Sequence, residues 1–382
     1  MCNPCGNYWE ATYVVKDVGD STTRLEPINV SDWSAYSHAQ FGNRSTAFMR
    51  KAVAAGKPFF AHIGTTGPHL PAIPAPWHVP TVNSWHHLTA PRSPNFNGHF
   101  PSHHPTVAAL PEIDADKLHV IDEHFRNRLG TLLSIDDLVE GVVATLEELG
   151  ALDQSYIMYS SDHGYHLGQF RLPMEKMWPY ETDVRIPFFI RGPGIAAGTS
   201  LDVMGVNMDI APTILDLAGV TVPSNYDGRS LVPLIVGNAA NMRAARHGWR
   251  TRTVISFAEG YFQDWGKVTL APWPLNTSTP DRTRNPPLKS ESGVTYTFDN
   301  PQNQWRMLRV ANATHNVSFV EWDPAFEFQT VAFSALWHVT ADPFQQDNVW
   351  ERLGPAEHAA WHAELETEFA CQGHHGVATD CS

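Results

Sequence analysis

Tyr156-Ile157-Met158-Tyr159-Ser160-Ser161-Asp162-His163-Gly164-Tyr165-His166-Leu167-Gly168 is the stretch on which the reading of the fold turns. Its first five residues form a compact apolar run that stops at a polar turn, which predicts a buried strand delivering an acid and an imidazole at its carboxyl end. In open parallel sheets ligands sit at that end. Asp162 offers a hard carboxylate oxygen and His163 an imidazole, and a turn made tight by Gly164 lets both face one ion. Taken alone, Asp-His-Gly is equally a turn whose aspartate satisfies backbone amides.

Downstream, Ile186-Pro187-Phe188-Phe189-Ile190 predicts another strand, ending at Arg191-Gly192-Pro193-Gly194. Met208 to Leu217 predicts a helix, with Pro212 in its first turn and Gly219 as the stop. Upstream, Thr46 to about Ala55 reads as a helix halted by Gly56-Lys57-Pro58, and Phe59-Phe60-Ala61-His62-Ile63 as a strand running into His69. Pro68 to Pro105 is rich in Pro and His, lacks a period and reads as a long ordered loop. Ser134 and Asp137 have the form of a capping box, opening a helix to Leu149 with Gly150 as its stop. Helix–strand units of this kind predict an α/β fold with a mainly parallel sheet covered on both faces.

Beyond about Arg250 the texture changes to a Pro/Asn/Thr/Arg-rich stretch from Pro272 to Gln304, strand-like runs at Trp305–Val310 and Val317–Trp322, and a helix from Pro355 to Phe369. The expected division is therefore an α/β domain over 1–249 and a small α+β subdomain over 250–382, with antiparallel strands and a terminal helix.

The 382 residues, 42% of them apolar, suffice for a large core. A formal charge of −14 without clustered Lys and Arg argues against a nucleic-acid partner, so an anion site must be a local basic pocket. No apolar run is long enough to cross a bilayer. Cys2, Cys5, Cys371 and Cys381 sit at the two ends, too few for a disulfide framework. Sequons at Asn29, Asn43, Asn276, Asn312 and Asn316 together point to the secretory route, yet Met1-Cys2-Asn3-Pro4 opens without the charge and apolar pattern of a leader. Two expectations follow: a cytosolic chain with accidental sequons, or a chain whose true N-terminus is missing.

After Gly168 come Gln169-Phe170, Lys176 and Tyr180-Glu181-Thr182-Asp183-Val184-Arg185-Ile186-Pro187. Before it stand Lys57-Pro58-Phe59-Phe60, Gly67-Pro68-His69-Leu70-Pro71 and Leu132-Leu133-Ser134-Ile135-Asp136-Asp137-Leu138-Val139. Further on are Asp209-Ile210-Ala211-Pro212-Thr213-Ile214-Leu215-Asp216 and Asp227-Gly228-Arg229-Ser230-Leu231. In this collinear order, from about Lys57 to Leu234, the chain resembles the sulfatase family, and within it the glucosamine-6-sulfatase branch. The resemblance implies an alkaline-phosphatase-like α/β sandwich with a small C-terminal subdomain, Ca2+ as cofactor and a sulfated carbohydrate as substrate. It also implies secretion or a lysosomal or vacuolar location for the complete protein. Residue by residue, Asp162 and His163 match calcium ligands, Lys176 the lysine on the sulfate oxygens, and His69 the histidine near the leaving oxygen. His166 and Arg171 lie close by in sequence as candidates for lining the substrate pocket. Sulfuryl transfer gathers negative charge on equatorial and leaving oxygens, which a divalent ion, an ammonium and an imidazolium offset.

The chain departs from the family's pattern at its beginning. The Cys-x-Pro-Ser-Arg motif whose cysteine becomes the formylglycine nucleophile is absent, as is the upstream pair of aspartates that completes the calcium site. Cys2-Asn3-Pro4-Cys5-Gly6 lacks the arginine. The expectation is a sulfatase whose nucleophile-bearing part is missing and which is inactive as it stands. Two other readings remain: a metal-dependent phosphodiesterase or phosphonate hydrolase of the same superfamily, and a non-catalytic glycan-binding relative.

Overall fold

The computed structural model describes residues 35–258, 303–312 and 314–370, together with two short strands, β1 (Thr12–Val15) and β2 (Arg24–Pro27). The chain divides into two compact units. The first comprises Met1–Arg92, Ile113–Ser155 and Trp265–Tyr296, and the second Ser93–Glu112, Tyr156–Asp264 and Thr297–Ser382. Cys2, Cys5, Cys371, Cys381, Asn29, Asn276 and most of the Pro272–Gln304 stretch lie outside the described residues.

Two helices dominate the first unit. α1 (Ser37–Ala54) packs on α4 (Ala115–Glu148), whose 34 residues span about 51 Å at the usual rise. α4 is capped by Asp114, which accepts the Lys117 N–H at 2.9 Å, and it stops at Gly150, where φ is +62°. The expected helix start at Ser134 is corrected by this. Ser134 lies in the middle of α4, buried, donating to the Thr131 carbonyl one turn back at 2.7 Å. The physical reason is the character of the upstream half. Below Ser134 the buried face carries Glu123, His124, Asn127 and Thr131, so an apolar period is visible only from Ile135 onward, through Leu138, Val142 and Leu146.

The Pro68–Pro105 stretch is a loop carrying one short helix, α2 (Val79–Asn83), and entering another, α3 (Pro105–Ala108). In the first unit it is stapled to α4. Trp77 Nε1 and His78 Nε2 both donate to Asp137 Oδ2, at 2.8 and 2.7 Å, and a Cβ on Gly130 would come within 2.6 Å of Val82. Phe59–Ile63, expected as a strand, joins no ladder among the described residues. Phe60 is 65% exposed there, and Phe59 stands edge-on to Phe48.

In the second unit β3 (Ile157–Ser160) pairs with β4 (Phe188–Arg191) in antiparallel register, Tyr159 opposite Phe189. The expected parallel arrangement is not what these strands adopt, and every strand pair among the described residues is antiparallel. A parallel return needs a crossover of a dozen or more residues, usually an α-helix. Between β3 and β4 the only helix is the single turn α5 (Glu181–Val184). The segment instead folds back along itself, as a hairpin's connection does.

After β4 come α6 (Ile210–Leu217), α7 (Val232–Ile235) and α8 (Ala239–His247), then a four-stranded sheet. Its order is β5 (Arg252–Phe257), β6 (Trp305–Ala311), β7 (Asn316–Trp322), β8 (Phe333–His338). Alternate residues go to opposite faces. Trp305, Met307, Val320, Trp322, Ala335 and Trp337 form one core with Val107, Phe170, Trp178 and Tyr180. Leu308, Val310, Val317, Phe319 and Leu336 form another with Leu365 of α9 (Pro355–Phe369). The change of texture near residue 250 thus marks the start of β5 but no gap in packing, because the sheet shares its first core with Val107, Phe170, Leu172, Trp178 and Tyr180 of the same unit.

Candidate functional site

β3 delivers the Asp162-His163 turn, and its geometry fixes the state of the imidazole. His163 Nδ1 donates to the Gly164 carbonyl at 2.8 Å, so in the neutral ring the lone pair is on Nε2. That nitrogen faces Asp162 Oδ2 at 3.2 Å. Two lone pairs cannot approach so closely unless a proton or a cation lies between them. Two ligands at about 2.4 Å from a calcium ion and roughly at right angles to each other would be about 3.4 Å apart, so the pair has the bite of a cation chelate. Asp162 Oδ1 accepts the His163 N–H at 3.0 Å and the Ser161 hydroxyl at 3.2 Å, which orients the carboxylate. The Asp162 side chain is 80% exposed and open to a ligand. Gly164 is required: a Cβ there would meet the Thr182 carbonyl oxygen at 2.1 Å. Calcium takes six to eight ligands, of which this pair could supply two. No group of three His, Cys, Asp or Glu able to hold a metal occurs among the described residues.

Lys176 sits in a segment held in unusual backbone conformations. Glu175 and Met177 on either side have φ of +104° and +96°. Positive φ at bulky residues costs on the order of 1–3 kcal/mol each and persists only where the surroundings enforce it. Here they do so by name. The Met177 carbonyl accepts from Trp305 Nε1 at 2.9 Å and from Asn303 Nδ2 at 3.1 Å, and the Glu175 carbonyl accepts the His166 N–H at 2.8 Å. The Lys176 ammonium pairs with Glu175 at 2.8 Å while staying partly exposed.

His166 and Arg171 are placed as ties. His166 is buried, its Nδ1 donating to both Asp183 oxygens at 3.0 Å, while the same carboxylate takes the Trp178 N–H at 3.0 Å. Arg171 Nη1 donates to the Leu110 carbonyl at 3.0 Å and Nε reaches the Asn97 carbonyl at 3.5 Å. Both hold the loop around Lys176 in shape.

His69 belongs to the first unit, whereas Asp162, His163 and Lys176 belong to the second. His69 lies between two cis peptide bonds, Gly67-Pro68 and Leu70-Pro71. Its Nδ1 donates to the Leu70 carbonyl at 2.7 Å, which again puts the lone pair of the neutral ring on Nε2. The turn beneath it rests on His38. The Gly67 N–H donates to His38 Nε2 at 2.9 Å and His38 Nδ1 donates to Ser134 Oγ at 2.7 Å. Burial pushes the His38 imidazole down to about 4, consistent with a neutral ring that accepts on one side and donates on the other.

Sequence reasoning missed Asn207, whose Nδ2 donates to the Asp162 carbonyl at 3.1 Å. It lies in a 3-10 turn before α6 (Asn207–Asp209), set by Asp209, which is buried and takes the Val206 and Arg229 N–H groups and the Arg250 guanidinium. No local pattern announces such a contact across 45 residues. Of the sequons, Asn43 is exposed on α1 and Asn312 is exposed after β6, while Asn316 opens β7 with its Nδ2 bonded to Thr340 at 2.9 Å.

The sulfatase family profile matches residues 5–220. The chain belongs to the sulfatase family. N-acetylglucosamine-6-sulfatase from Homo sapiens is 32% identical over 325 residues, covering 83% of this chain and 53% of that protein. The Bos taurus enzyme is likewise 32% identical, over 83% of this chain and 52% of its own. The chain thus spans about half the length of these curated relatives. Among solved structures, BT4656 in complex with its substrate D-glucosamine-2-N,6-O-disulfate aligns over 91% of this chain and 70% of its own, with a TM-score of 0.61 and 20% identity. A phosphonate monoester hydrolase from Silicibacter pomeroyi aligns over 95% of this chain and 64% of its own, with a TM-score of 0.57 and 23% identity. These likenesses establish the sulfatase-type, alkaline-phosphatase-like α/β fold, here with mixed helices and antiparallel sheets. No described helix is long and apolar enough to cross a membrane.

Proposed function

We propose that this chain is part of a sulfuric ester hydrolase of the glucosamine-6-sulfatase class, acting on sulfated glycans with Ca2+ bound at Asp162 and His163. The observation that carries the reading is the 3.2 Å approach of His163 Nε2 to Asp162 Oδ2 with Nδ1 already committed to Gly164. Bound there, calcium would supply charge to offset that gathering on the sulfate oxygens. Lys176 holds a sulfate oxygen with its ammonium, and its Glu175 partner orients it. His69, its Nδ1 held by Leu70, presents Nε2 to the leaving oxygen, where a proton is needed as the ester bond breaks. No Cys-x-Pro-Ser-Arg, the source of a formylglycine nucleophile, occurs in this sequence, so this reading expects no turnover by the chain on its own.

The names of the relatives support the glycan. N-acetylglucosamine-6-sulfatase is matched across four fifths of the chain, and an extracellular sulfatase homologue of Drosophila melanogaster is 39% identical over 214 residues. A secreted or lysosomal location, with glycans at the exposed Asn43 and Asn312, belongs to the same reading.

The second reading, a phosphonate monoester hydrolase, is favoured by the Silicibacter pomeroyi likeness. Calorimetry on the chain with calcium present separates the two. Glucosamine 6-sulfate should bind and an aryl methylphosphonate should not compete with it. Preference for the phosphonate ester, or binding of the sulfate ester untouched by Lys176→Ala, would overturn the assignment.

A further inference from the structure

His124, Asn127, Arg128 and Thr131 stand at positions i, i+3, i+4 and i+7 of α4 and therefore share one face. That face is polar, although three of the four residues are buried. Two bonds show what it does. Arg128 Nη1 donates to the Pro68 carbonyl at 2.8 Å, and Thr131 Oγ1 donates to the Arg128 carbonyl at 2.8 Å. Pro68 is joined directly to His69, so the guanidinium grips the peptide that sets where the His69 ring begins. The other side of the same turn is fixed by Gly67 on His38.

We propose that Arg128 is a positioning residue for His69: by holding the Pro68 carbonyl it fixes the imidazole in the attitude needed to meet the sulfate ester. The proposal rests on the reading of His69 given above. A carbonyl hydrogen-bonded to an always charged guanidinium is restrained, and the adjacent Nδ1 bond from His69 to the Leu70 carbonyl orients the ring and with it Nε2. His124, wholly buried on the same face, has its imidazole held well below the usual range first by burial and then by the charges of Arg128 and His69, which places all three groups within electrostatic reach. Asn127 is fully buried, with neither amide atom hydrogen-bonded among the described residues. A helix face used only for packing would carry aliphatic side chains here, as α4 does from Ile135 onward.

The experiment uses the full chain with calcium, labelled on its histidine rings and followed by imidazole NMR during titration with glucosamine 6-sulfate. In the wild type the His69 resonances shift as ligand is added. In Arg128→Met the affinity falls about tenfold, the loss carried by one well-placed contact, and the free-state His69 ring resonances broaden or move while the melting temperature stays within a few degrees. Arg128→Lys, which restores a charged donor, recovers most of the affinity. Should Arg128→Met fail to fold, Arg128→Gln, whose amide is two bonds too short to reach the Pro68 carbonyl, is compared with Arg128→Lys in its place; wild-type-like affinity in Arg128→Lys with a loss in Arg128→Gln supports a positioning donor, and equal affinity in both overturns it. A wild type whose His69 never responds to bound ligand removes the sulfate reading and this proposal together. A responsive wild type with an Arg128→Met variant of equal affinity and unchanged His69 resonances removes the proposal alone.

Discussion

Acidification should destabilise this protein through buried, uncharged imidazoles, and His38 isolates the effect. Its ring accepts the Gly67 N–H and donates to Ser134, and burial lowers it to about 4 from an ordinary value near 6.5. Because the folded value is depressed, the unfolded chain binds a proton that the folded chain refuses between those two pH values. Stability is therefore complete above about pH 6.5 and is lost as the pH falls toward 4. At about pH 5 the loss from one such histidine is about 2 kcal/mol, from the roughly 1.5 units between its ordinary value and that pH at 1.36 kcal/mol per unit. His103 and His104, also lowered to about 4 chiefly by burial, add to the total in the second unit. The assay is urea unfolding at a series of pH values for the wild type and His38→Gln. The variant starts less stable near neutrality, but its loss between about pH 7.5 and pH 5 should be smaller by about 2 kcal/mol. Parallel pH profiles for the two proteins would show that His38 takes up its proton in the fold as readily as in the unfolded chain, refuting the role given to burial.

On the proposed reading calcium should bind this chain only weakly, at about millimolar affinity or looser, since Asp162 and His163 would be two ligands of a larger set; calorimetry that finds sub-micromolar binding, or equal binding by Asp162→Ala, contradicts this. Trp305→Phe removes the Nε1 bond to the Met177 carbonyl and should cost about 1 kcal/mol of stability, while weakening glucosamine 6-sulfate binding through Lys176. Gly130→Ala places a methyl against Val82 and Pro74 and should cost about 1–3 kcal/mol in denaturant unfolding, with no change in its slope. Glu321→Ala strips the buried Arg306 of its partner and frees His362, and should cost about 3–5 kcal/mol.

What the sequence made legible was whatever repeats locally. α9 runs from Pro355 to Phe369 as its pattern predicts, β6 and β7 fall on the expected apolar runs, and the Asp-His-Gly turn does end a strand. What escaped was set by distant partners. Ser134 looks like a cap because hydroxyls favour caps, yet His38, 96 residues away, gives it a buried partner within a helix. The parallel sheet was inferred from alternating helices and strands, a pattern silent about whether a crossover helix lies between two given strands. The site divided the same way: Asp162 and Lys176 stand in recognisable text, whereas Asn207 and Arg128 act through backbone carbonyls that any residue would supply.

The hold that Asn303 and Trp305 keep on Met177 bears on how this gene tolerates damage. A stop codon or frameshift placed between about residue 235 and residue 303 would leave the letters of every recognised motif intact and still release the lysine loop. Variants of that sort in such a gene deserve to be scored as lesions of the loop that carries Lys176 rather than as trimmed tails.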